Sequence, residues 1–192
     1  MKHYVNLDQV ANRRMFFPAE TEIDEKKIIG VHGCFFKEEE INFEKPFDLG
    51  NVSFLFRKSS ALGDSVECNN QLMNIPEFPC RKIHFAGLCE WGYFKEKAEL
   101  LFSDGSVDYA KINFSDICWP LQDAAVRWKF GKEKDEFFDA SRILLSQKGA
   151  DRDRFIYHYS TTFSNTRTLV RIRFPDNILM VVMAVTVEDE YG

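Results

Sequence analysis

The chain has 192 residues, with 25 basic and 30 acidic side chains, a net charge of -5 and a pI near 5.5. That length suffices for one large core, and 45% apolar against 29% charged residues excludes a disordered chain. The acidic balance argues against a nucleic-acid partner, which selects a basic surface able to displace counterions.

In chain order, Met1–Asp8 has no apolar run, so no secretory signal is expected. Residues 1–27 read as a polar, irregular segment anchored by Phe16, Phe17 and Pro18, packed on a single sandwich domain over 28–192. From Ile28 onward, short apolar or alternating runs separated by turn residues predict strands. They fall at Ile28–Val31, Val52–Phe56, Ser65–Cys68, Gln71–Ile75, Lys82–Leu88, Ala125–Phe130, Phe155–Tyr159, Leu169–Phe174 and Ile178–Val187.

The sharpest local signal is a hairpin from Lys97–Phe102 through Ser103–Ser106 into Val107–Phe114. Asp104 and Gly105 form a favoured turn pair because both tolerate positive φ. Ala98, Leu100 and Phe102 share a face with Ala110, Ile112 and Phe114, while Glu99, Lys111 and Asn113 take the other. In Thr168–Phe174 the alternation puts Val170, Ile172 and Phe174 inward, with Arg171 and Arg173 outward. Only Lys132–Gly149 reads otherwise, as a short helix on a long connection, because its apolar residues have partial helical spacing. The run Ile178–Val187 is too short for a membrane span and reads as a buried strand, so no membrane partner is expected.

Cys34, Cys68, Cys80, Cys89 and Cys118 are odd in number and lack a CxxC pair, which points to reduced thiols in a cytoplasmic protein. Cys80, His84 and Cys89 match no common zinc spacing, so no metal site is assigned. Asp151–Arg154 starts like a calcium loop but lacks its Gly and Glu, leaving a structural calcium without a motif. His158, between Tyr157 and Tyr159, reads as a surface or pocket-edge residue, and Trp128 as core. There is no GxSxG elbow, P-loop, dinucleotide fingerprint or HExxH, so no enzyme is assigned, no catalytic residue and no cofactor.

The order of motifs carries more than any one of them. Leu49–Phe54 is followed by Ala61–Gln71, then Ile75-Pro76, the strand Lys82–Leu88, the aromatic loop Glu90–Tyr93, the Ser103-Asp104-Gly105 hairpin, Phe114–Trp119, and Ile172–Asn177 before a final apolar strand. This succession resembles the galactose-binding-like jelly-roll sandwiches that serve as carbohydrate-binding accessory domains of glycoside hydrolases. Asn70-Gln71 stands where such domains carry Gly-Gln, and Ile117 and Cys118 separate Asp116 from its aromatic.

The resemblance implies an all-β, antiparallel two-sheet jelly roll and a noncatalytic role in binding a carbohydrate. Its ligand site would use Trp91, Tyr93 and Trp119 as flat rings for a pyranose, with Glu90 and Asp116 orienting hydroxyls. The competing reading of each ring is a core lid, since tryptophan is highly buried on average. The competing function, favoured by the free cysteines, is a standalone cytoplasmic interaction domain or homo-oligomer without a sugar ligand.

Overall fold

The computed structural model describes residues 1–17, 36–38, 41–58, 62–90, 92–117, 142–145 and 154–191. The strands expected at 28–31 and 125–130 lie outside these residues, as do Trp128, Cys34 and Cys118. Twelve strands run through the described chain. The first six are short: β1 (Lys2–Tyr4), β2 (Phe16–Phe17), β3 (Phe36–Lys37), β4 (Phe47–Leu49), β5 (Val52–Phe54) and β6 (Val66–Asn69). The others are β7 (Leu72–Cys89), β8 (Phe94–Phe102), β9 (Val107–Phe114), β10 (Arg142–Leu145), β11 (Arg154–Arg173) and β12 (Asp176–Glu188). The main sheet is antiparallel in the order β1-β12-β7-β11-β8-β9, with β10 on β11 and β6 on β12.

Two strands are much longer than their sequence signals. Gln71–Ile75 and Lys82–Leu88 belong to one strand, β7, and Phe155–Tyr159 and Leu169–Phe174 lie on one path that begins with β11. Pro76 and Pro79 do not interrupt β7, because β12 pairs with it only over Lys82–Cys89 and the proline stretch is an edge on that side. Both strands fold over. The second half of β11 pairs with β8 (Arg173 opposite Glu99), yet Thr161 Oγ1 in its first half accepts the N–H of Lys111 in β9 at 3.0 Å. On a straight strand those two residues would be about 40 Å apart at ~3.3 Å per residue. The register shift between Thr162 and Arg167 marks the bend.

Folding over creates two facing layers. One holds β8, β9 and the adjoining halves of β7 and β11; the other holds β1, β12, β10 and the remaining halves. Their inner faces meet where the Phe114 ring rests on Gly87, and Ala98, Leu100, Phe102, Ala110 and Ile112 are all buried there, as the alternation predicts. The second layer is also covered on its outer side. Phe54 of the β4–β5 hairpin lies against His158 in a tilted ring contact (centroids 5.9 Å), and Thr186 donates its hydroxyl to Ser53 O at 2.8 Å. A Phe-rich cluster continues that cover: Phe16 meets Phe36, Phe43 and Phe56 at 5.2–5.9 Å. Ile83–Cys89 and Met180–Val187 are therefore buried on both faces, which explains why they are apolar apart from His84 and Thr186.

Several expectations are corrected. The N-terminal segment is not irregular at its start: Lys2–Tyr4 pairs with Thr186–Glu188, and β2 pairs in parallel with β3. Arg142–Leu145, expected within a helix, is a strand on β11, since a short apolar run satisfies either period and an open sheet edge decides it. Val170 is only half-buried, because a bulge between Leu169 and Arg171 hands the inward position to Leu169. His158 is 4% exposed rather than superficial, because the β4–β5 hairpin lies over it. In the hairpin turn only Gly105 has positive φ (80°); Asp104 instead accepts the Ser106 N–H at 2.8 Å, and the Gly105 N–H bonds Phe102 O.

The two glycines give contrasting predictions. A Cβ on Gly87 would lie 2.1 Å from Val181 O and 2.6 Å from Phe114 Cε2, whereas one on Gly105 would meet nothing within 4 Å. Gly87→Ala should cost about 3 kcal/mol through layer displacement, and Gly105→Val about 1 kcal/mol through φ strain alone. Urea midpoints of the two variants check the order.

Candidate functional site

Of the expected site residues, Glu90, Tyr93 and Asp116 are described, and they sit on two segments that leave adjacent strand ends. Cys89, the last residue of β7, donates its N–H to Ser115 O and accepts that of Ile117, both at 2.9 Å, a parallel bridge to Asp116. The segment entering at Glu90 and the one leaving at Ile117 are thereby fastened side by side. Asp116 closes the clasp: its Oδ2 accepts the Gly92 N–H at 2.9 Å, and its backbone carbonyl accepts the Tyr157 hydroxyl at 3.0 Å. Gly92 has φ 127°, a conformation that favours glycine. Tyr93 follows, half-buried. Trp91 and Trp119 lie outside the described residues.

Both candidate carboxylates have protein partners. Glu90 is fully buried, its carboxylate paired with Arg13 Nη2 and its N–H bonded to Leu179 O at 2.8 Å. Arg13 also reaches Glu67 Oε2 at 3.0 Å, and its backbone bridges Ser65. Gly63 permits that approach, since a Cβ there would stand 2.3 Å from Arg13 O. Beside it, Asp64 accepts the N–H groups of Met15 and Phe16 at 2.8 and 3.1 Å, and burial raises its pKa despite these bonds. Asp116 is 7% exposed. The two carboxylates thus hold the loop bases together, and Arg13 ties the N-terminal segment to them. Arg13 was invisible to the sequence reading: it lies 77 residues from Glu90 in a stretch with no motif.

A second polar row crosses the covered face of the sheet. His84 Nδ1 lies 2.6 Å from Ser160 Oγ, and its Nε2 lies 3.3 Å from Glu188 Oε2, which Lys2 Nζ approaches on its other oxygen at 3.6 Å. His158, one pairing step along, has neither ring nitrogen hydrogen-bonded. Burial pushes its pKa down to about 4, helped by the positive form of His84, whose own pKa burial also lowers. Cys68, Cys80 and Cys89 are free and buried, and burial raises all three thiols, Cys80 to about 12, so they are poor nucleophiles. No protein-family model and no curated protein sequence matches the chain.

The buried Arg13–Glu90 pair and the buried His158 ring each give a prediction. Arg13→Ala should cost about 3–5 kcal/mol by stranding Glu90, while Arg13→Met with Glu90→Leu recovers most of that loss; denaturant titration measures both. For His158, the unfolded chain binds a proton more readily than the folded one, so stability is full above about pH 6.5 and falls as the pH drops toward about 4. The loss is on the order of 2 kcal/mol, and melting curves of His158→Leu should show a flatter pH profile than those of the parent.

Proposed function

We propose that the chain is a noncatalytic carbohydrate-binding domain of galactose-binding-like, jelly-roll type. The observation that supports this most is the Asp116–Gly92 clasp, which with the Cys89–Asp116 bridge fastens the Gly92-Tyr93 pair beside the ends of β7 and β9. Flat rings give a sugar contact area at small entropic cost, and a pinned loop base reduces what binding must order. In this reading Glu90 and Asp116 serve the ligand chiefly by fixing the loops, with Arg13 as a third member of the support.

A glycan array followed by titration of tryptophan fluorescence tests the reading. Trp91→Ala should weaken binding at least about tenfold while leaving the melting temperature almost unchanged, whereas a core tryptophan would cost about 3–5 kcal/mol of stability. Binding to no glycan, or an unfolded Trp91→Ala variant, overturns the site. Turnover of an aryl glycoside that a single carboxylate substitution abolishes would overturn the noncatalytic role.

A further inference from the structure

The layer built on β8 and β9 has one face in the core and one in solvent, and the pairing register fixes what the solvent face displays. One row across the sheet reads Leu72, Arg173, Glu99, Tyr109; the next reads Asn74, Arg171, Leu101, Val107. Beyond the end of β11 the rows continue as Lys97 opposite Lys111 and Lys95 opposite Asn113, where Asn113, expected on the outer side, is buried at 8% exposure. This face carries five cations (Lys95, Lys97, Lys111, Arg171, Arg173) and one carboxylate, Glu99, which Arg173 engages at 3.4 Å. The chain as a whole is acidic, with a net charge of -5. Its cations are therefore concentrated against the trend of the surface.

Two features show that the pattern is more than a solvated strand. Lys97 and Lys111 are direct cross-strand partners, and like charges so placed repel. Lysines often guard an open sheet edge against stray pairing, but β9 is not open at that point, because the Lys111 N–H is taken by Thr161 Oγ1. The face is also apolar between its charges: Tyr109, Val107 and Leu72 are 53%, 47% and 45% exposed, and Leu101 lies among them in register. Tyr and Arg are the residue types that dominate protein-binding energy.

We propose that this face docks an acidic polypeptide, one that sets Asp or Glu against the lysines and aliphatic or aromatic side chains against Leu72, Leu101, Val107 and Tyr109. Charge complementarity selects the partner's sign. The aliphatic residues select protein over a polyanion, since a nucleic acid or sulfated glycan gives Leu72 and Val107 nothing to pack on. A second copy presenting the same face is disfavoured, because a two-fold contact would set the cations against themselves. Lys95 adjoins the loop end of the proposed sugar site, but Lys97, Lys111 and Tyr109, on which the test rests, lie farther along the sheet, so either reading can fail without the other.

The test uses the full chain and a fluorescent synthetic peptide of mixed Glu, Asp, Leu and Phe, with heparin and oligothymidylate as rival probes. The peptide should bind, and raising salt from about 0.05 to about 0.5 M should weaken it several-fold. Lys97→Glu with Lys111→Glu should weaken binding at least about tenfold, and Tyr109→Ala about threefold or more. Lys45→Glu with Lys58→Glu, exposed elsewhere, should change it less than about twofold. Lys97→Glu alone, by pairing with Lys111, should leave the melting temperature unchanged or raise it, which separates a binding loss from unfolding. No binding of the peptide, equal loss in the Lys45/Lys58 control, or tighter capture of heparin or oligothymidylate than of the peptide overturns the proposal.

Discussion

Burial of one sheet on both faces is the constraint on which the rest of the molecule depends. Ile83–Cys89 and Met180–Val187 have no solvent side, so each needs a cover above and below. The chain supplies one cover by folding β7 and β11 over so that the β8–β9 hairpin returns onto the sheet. The other comes from Phe16, Phe36, Phe54 and Phe56, all buried at 2% exposure or less. Apolar burial at roughly 25 cal/mol per Å² makes such a doubly covered sheet strongly favourable, and close packing makes it intolerant. Gly87 shows the intolerance: the Phe114 ring and the Val181 carbonyl occupy the space a methyl group would need.

Polar groups inside this arrangement are tolerated only where they are useful to its joints. Arg13 joins the N-terminal segment to β6 through Ser65 and Glu67 and to the end of β7 through Glu90, so three distant stretches meet at one guanidinium. A buried ion pair adds little net stability, but its loss from one side is costly. It therefore specifies which chain segments meet more than it strengthens the fold. Asp64 and Asp116 act similarly, each accepting backbone N–H groups of a passing loop. His158 departs from this pattern: neither ring nitrogen is hydrogen-bonded, and burial lowers its pKa, which favours the neutral ring.

What the sequence made legible was local. The alternation of Ala98, Leu100 and Phe102 against Ala110, Ile112 and Phe114 named the inner face of a hairpin, and the apolar run through Val187 named a central strand. Gly105 as a turn residue was readable because a positive φ favours glycine. What was not legible depends on partners far along the chain. The continuity of β7 through Pro76 and Pro79 requires knowing that one side of that stretch is an edge. The burial of His158 requires the β4–β5 hairpin, about a hundred residues earlier, to lie over it. The bulge at Val170 shifts a face by one residue, which period-two reasoning cannot see.

The same constraint restricts where function can reside. With both sides of the second layer occupied, its strands present little but backbone edges, and β1 covers the edge of β12 by pairing with it. The first layer needs only its inner face for the core, so its outer face is free to vary in sequence without loss of packing. That face bears Lys97 opposite Lys111 and an exposed Tyr109, a composition that folding alone does not require. The base of the loop end is held differently: Asp116 clasps Gly92 and Arg13 pairs with Glu90, so the ends of β7 and β9 are fixed to each other and to the N-terminal segment. Among the described residues the two regions differ in kind: the outer face of the first layer is flat and cationic, whereas the ends of β7 and β9 are held by a buried ion pair and a carboxylate clasp.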